Sequence, residues 1–149
     1  MSDDKGNEGT TAGAVAPSGG LATLRAAVGW RGAARTDAVE RRHLHAYQDA
    51  IGAPRSDEAP LTFVACFLNE PPDCPAALAY GTGWLNGEDT FDGHGTVRTG
   101  TVLRSAPLLT EVTEKHGRSG AFALLTFVTD FRDENGGLLV RHTGIRLRR

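Results

Sequence analysis

The stretch AFALLTFVTDFRDENGGLLVRHTGIRLRR, residues 121–149, decides the fold. AFALLTFVTDFRD reads as a strand. One face carries Ala121, Ala123, Leu125, Phe127, Thr129 and Phe131, and the other carries Phe122, Leu124, Thr126, Val128 and Asp130. Both faces start apolar and become more polar along the chain, as in a central strand packed on both sides at one end. DENGG then supplies a hairpin turn through Asn135-Gly136. LLVRHTGIRLRR returns as the final strand, with Gly144 read as a bulge.

Working upstream, GTVLRSAPLLTEVTE (100–114) is rich in Val, Leu and Thr, and Pro107 implies an edge position or a bulge. RTDAVERRHLHAYQDAIGAP (35–54) is the clearest helix. Thr36 or Asp37 is placed to cap it, with Glu40 in capping-box spacing. Val39, Leu44, Tyr47 and Ile51 form its apolar stripe. Gly52 is placed to end it in a left-handed conformation, and Pro54 prevents continuation. LTFVACFL (61–68) is a buried strand or a short helix, NEPPDCP is a loop, and AALAYGTGWL holds a second short helix ending near Gly81. Helix first, then a long antiparallel meander, makes an α+β arrangement. One such unit leaves a sheet edge or face unfinished, which dimerisation remedies.

With 149 residues, 40% hydrophobic and 23% charged, the chain suffices for one domain with a core. Residues 1–20 offer almost no large apolar side chains and read as a disordered tail, leaving 21–149 as the domain. The segment 1–20 has no apolar stretch of a secretory signal, and no run approaches a membrane span, so a cytoplasmic protein is expected. A net charge of −2 with scattered Lys and Arg gives no footprint for nucleic acid. The cluster Arg141, Arg146, Arg148 and Arg149 reads as a solvated strand edge. Cys66 and Cys74 lack metal-ligand spacing, so no metal is expected and two free thiols are the default. Gly81, Gly83 and Gly87 lack the Lys-Ser/Thr pair of a phosphate loop. The five histidines, His43, His45, His94, His116 and His142, form no triad visible in sequence, and His142 reads as lying on a strand edge.

Taken in order, Gly87-Glu88, Phe91, His94, Arg98, Gly100-Thr101, then Lys115 with Gly117-Arg118-Ser119-Gly120, then Asp133 to Gly136, resemble the MaoC-like dehydratases. The likeness covers roughly residues 30–149 and is nearer to the superfamily's N-terminal, non-catalytic half-domain. It implies a hotdog fold, a long central helix wrapped by a curved antiparallel sheet. Active members carry an aspartate just after the helix-ending glycine and a histidine five residues further on. That pair flanks the water that adds to, or leaves from, an enoyl or 3-hydroxyacyl thioester, and the two groups divide the proton transfers. Here Ala53 follows Gly52 and Glu58 stands five residues on, with Pro54-Arg55-Ser56 replacing the family's Asn-Pro turn. The catalytic positions are vacated.

The resemblance therefore implies a non-catalytic subunit of a heterodimeric 3-hydroxyacyl-thioester dehydratase or enoyl-thioester hydratase. Its partner would be a catalytic hotdog subunit carrying the Asp/His pair. The substrate would be an acyl-CoA or a group on an acyl carrier protein, with no bound cofactor. His94, Trp84 and Arg98 are the residues expected to contact it. His94 also has a structural reading as a hydrogen bond fixing the turn before Arg98, and Trp84 and Trp30 read equally as packing. A module that only holds an acyl chain or carrier protein is one alternative. A self-sufficient hotdog thioesterase using Asp49 or Glu58 is another.

Overall fold

A computed structural model describes residues 18–149. The chain runs α1 (Ser18–Ala26), β1 (Arg35–Ala38), α2 (Arg41–Ala50), a 3-10 helix (Leu61–Phe67), α3 (Pro75–Tyr80), β2 (Trp84–Gly93), β3 (Val102–Ser105), β4 (Pro107–Gly117), β5 (Gly120–Arg132) and β6 (Leu138–Arg148). The six strands form one antiparallel sheet ordered β1-β3-β5-β6-β2, and β4 continues β3 beside β5. Residues 1–17 of the expected tail lie outside the described residues. Residues 18–20, which the sequence reading counts with the tail, open α1.

β5 and β6 form where residues 121–149 are read to form them. The hairpin turns at Gly136, whose φ of +85° only glycine adopts without strain, and Asp133 Oδ1 accepts from the Asn135 and Gly137 amides. Ala123, Leu125, Phe127 and Phe131 are buried on the inner face of β5. Two clusters cover that face. Leu44 of α2 packs with Phe63, Val64, Phe67, Leu103, Phe131 and Val140 at one end. Leu24 of α1 and Ala77 of α3 pack with Cys74, Leu109, Leu125 and Phe127 at the other. The expected long central helix is thus a ten-residue α2, with α1 and α3 completing the cover.

Two helix details correct the sequence reading. Thr36 and Asp37 do not cap α2, because both lie in β1, paired with Arg104 and Leu103. Glu40 is the N-cap residue and makes no side-chain capping bond, so packing rather than capping holds the helix. Inward positions are Leu44 and Gln48, one helical turn apart, while Ile51 is 52% exposed. Gly52 does end the helix with φ +68°. LTFVACF is the 3-10 helix, Pro107 starts β4 after a break at Ala106, and α3 ends at Gly81.

Gly144 is in register with Asp89 and Phe127, so it is not a bulge. Register shifts lie instead at Gly87 of β2, where a Cβ would come within 3.1 Å of Ile145 O, at Thr110 of β4, and at Leu139 of β6 against β5. Cys66 and Cys74 are both free. No helix among the described residues is long and apolar enough to cross a membrane.

Candidate functional site

The loop after α2 leaves the helix through left-handed Gly52, and the Ala53 amide donates to Gln48 O at 2.9 Å. The buried Gln48 side chain then ties down the loop. Its Oε1 accepts from Ser56 N at 3.1 Å, and its Nε2 donates to Glu58 O at 3.0 Å and to Ser56 O at 3.3 Å. A polar side chain this buried is stable because its donors and acceptors are filled. Ala53, Ser56, Asp57, Glu58 and Arg98 line an open cavity of about 500 Å³ with Gln48 at its base.

The loop carboxylates are all engaged. Arg98 Nη2 donates to Glu58 Oε2 at 3.0 Å, and the two backbones form an antiparallel bridge. Asp57 Oδ1 accepts from Thr99 Oγ1 at 3.2 Å and faces Arg41 at the same distance. Arg55 grips Asp49 with both arms of its guanidinium, at 2.8 and 2.5 Å, and holds that carboxyl below the usual range. No histidine lines this cavity. The geometry therefore supplies carboxylates neutralised by arginine and no imidazole to share a proton with them.

A second polar cluster lies buried on the inner face between β2 and β6. His142 Nε2 donates to Asp89 Oδ1 at 2.7 Å, and Arg146 Nη2 reaches the same oxygen at 2.6 Å. Arg146 Nε donates to Glu70 Oε2 at 2.9 Å and its Nη1 to Glu88 O at 3.1 Å. Burial alone pushes the Asp89 carboxyl up. The bonds from Arg146 and His142 outweigh it and hold the group below the usual carboxylate range. Arg146 and His142 are 2% and 1% exposed, and His142 Nδ1 has no hydrogen-bond partner among the described residues. Arg148 caps the end of α3, donating to Ala77 O, Leu78 O and Gly81 O, and its guanidinium stacks 4.7 Å from the Trp84 ring centre.

These positions overturn the solvated-edge reading of Arg146 and Arg148 and the strand-edge reading of His142. Side chains alternate along β6, so Val140, His142, Gly144, Arg146 and Arg148 all point inward. Sequence hydrophobicity misses them, because Ile145 and Leu147 on the opposite parity look like the core face. The available signal was the parity shared with Val140. Through these bonds the cluster ties β2, β6 and the Glu70 loop together.

Of the three expected contact residues, Arg98 lines the loop cavity and Trp84 and His94 do not. Trp84 packs against the α1–α3 cluster. His94 follows β2, where its amide and that of Gly95 donate to Leu139 O at 2.8 and 3.0 Å. The backbone thus fixes this turn, and the imidazole makes no hydrogen bond among the described residues. Trp30 packs edge-on against Phe127, and His43 against Phe63 and Phe67. Among the described residues no group of three or more His, Cys, Asp or Glu converges as a metal site.

A family model described as the FAS1-like dehydratase domain region matches residues 26–142. The chain belongs to this family. No curated protein matches the sequence of this FAS1-like dehydratase region. Solved structures share its fold. A chain of the C-terminally truncated HadBC (3R-hydroxyacyl-ACP dehydratase) complex from Mycobacterium tuberculosis is 17% identical, with a TM-score of 0.64 over 79% of this chain and 93% of that one. A chain of the ChsH1–ChsH2 complex from Mycobacterium tuberculosis is 12% identical, with a TM-score of 0.67 over 87% and 89%. The MaoC-like dehydratase from Rhodospirillum rubrum is 17% identical, with a TM-score of 0.59 over 82% and 93%. The fold is the α+β hotdog of the MaoC-like superfamily.

Proposed function

We propose that this chain is the non-catalytic subunit of a heterodimeric 3-hydroxyacyl-thioester dehydratase or enoyl-thioester hydratase. The observation that carries the reading is the helix-end loop. Ala53 has no proton to transfer, and Glu58 is committed to Arg98 in a cavity that no histidine lines. A catalytic hotdog subunit would supply the aspartate and histidine, and this chain would supply part of the acyl tunnel and the dimer interface. The likeness in fold to chains from the HadBC and ChsH1–ChsH2 complexes supports a partnered assembly. So do Ile51 and Leu61, 52% and 42% exposed on the sequence flanks of the loop, and the outer edge of β2, which among the described residues pairs with β6 alone. The substrate would be an acyl-CoA or a carrier-protein thioester, handled in the cytoplasm. Arg98 at the cavity rim is the residue best placed to meet it.

Asp49 and Glu58, which a self-sufficient thioesterase would use, are each paired with an arginine, which favours the subunit reading. The test is direct. The purified chain should not hydrate crotonyl or longer enoyl thioesters, and mixing it with a hotdog subunit carrying the Asp/His pair should give turnover. Turnover by the lone chain would overturn the proposal.

A further inference from the structure

A groove of about 390 Å³ crosses the outer face of the sheet, and five arginines line it. Strand register brings them together. Arg104 of β3 stands directly opposite Arg132 of β5, with Thr36 of β1 on its other side. Two residues back along β5, Asp130 faces Arg141 of β6. Two further back is Val128, opposite Leu108, whose other neighbour is Arg31. Arg35, at the start of β1, completes the set.

The local charge does not balance. Asp130 is the one carboxylate in the lining, and it is shared between Arg141, at 2.7 and 2.9 Å, and Arg132, at 2.7 Å. Arg35 reaches Asp37 beside the groove at 3.2 Å, and Asp92 stands across β2–β6 from Arg141. Even with both counted, five cations meet three carboxylates, an excess of two positive charges in a chain whose net charge is −2. Arg31 and Arg104 make no ion pair or side-chain hydrogen bond among the described residues. Like charges directly opposite on neighbouring strands destabilise a sheet, so the Arg104/Arg132 pair calls for a counter-anion.

We infer that this groove binds an organic phosphate carrying at least two negative charges, such as a diphosphate ester. Guanidinium forks match phosphate oxygens two at a time, and a single carboxylate would leave the excess charge half-compensated. Ala106, Leu108 and Val128 give the groove an apolar floor for the organic portion. The volume suits a small molecule, whereas a protein partner needs about 800 Å² of surface per side. The groove shares no lining residue with the helix-end cavity, so the inference stands apart from the subunit reading.

Such a ligand has two sources, the nucleotide end of a coenzyme-carried acyl group or a free nucleotide. Calorimetric titration of the full chain at low salt with inorganic pyrophosphate, ADP and coenzyme A separates them. Saturable one-to-one binding of pyrophosphate is expected, weakened at least about tenfold by Arg104→Gln and progressively by added salt. Coenzyme A binding more tightly than ADP assigns the coenzyme source, and equal or weaker binding assigns the free nucleotide. Without ligand, Arg104→Gln should keep or raise the melting temperature, since it relieves the Arg104/Arg132 repulsion. Absence of saturable binding for all three probes, or binding undiminished by both Arg104→Gln and Arg31→Gln, overturns the inference.

Discussion

Gly144 lies between two inward side chains that need its space. A Cβ there would come within 2.9 Å of both His142 Cε1 and Arg146 Nη2. Gly144→Ala should therefore destabilise the fold by about 1–3 kcal/mol, read from urea unfolding, by displacing a buried ion-pair network. Asp89→Asn tests the same network by charge. With side-chain exposure of 35% discounting the effect, a loss of about 1–2 kcal/mol at pH 7 is expected. The folded Asp89 carboxyl lies below its unfolded value, so its stabilisation is complete above about pH 4 and lost as pH falls through the folded value. The gap between wild type and Asp89→Asn should accordingly shrink in unfolding curves taken below pH 4. A gap that widened in acid would show that the carboxylate is not the stabilising partner.

The loop after α2 behaves as an element because Gln48 organises it. Gln48→Leu keeps the buried volume but leaves the Ser56 amide without its acceptor and the Glu58 carbonyl with Ser56 Oγ as its remaining donor. It should cost about 1–3 kcal/mol and speed proteolysis between Gly52 and Pro60. Glu58 and Arg98 are 56% and 59% exposed, so a double-mutant cycle on that pair should give below about 1 kcal/mol. The helix stop at Gly52 and the turn at Asn135-Gly136 were legible in the sequence, since backbone conformation alone selects those residues. Gln48 was not, because an amide at a helix position reveals its burial only when a loop returns to fill its hydrogen bonds. The N-cap was misplaced for a related reason: Thr36 and Asp37 gain more from pairing with β3 than a cap would return.

At the scale of the whole molecule, β2 leaves one edge unpaired among the described residues and Ile51 and Leu61 are exposed, the surface that the proposed partner would cover. Adding a catalytic hotdog subunit at a hundred times its dissociation constant should raise the unfolding free energy by about 2.7 kcal/mol and shift the elution volume of this chain to that of a complex. An unchanged melting temperature with every candidate subunit would count against the heterodimer. By itself the sequence determined the sheet-forming last third and the glycine stop of α2, because each depends on local periodicity or backbone geometry. The tertiary structure alone decided which parity of β6 faces inward. Buried arginines survive there because Glu70, Asp89 and the carbonyls of α3 come from distant parts of the chain. The same holds for the arginine groove, whose residues on the N-terminal segment, β3, β5 and β6 meet only through strand register.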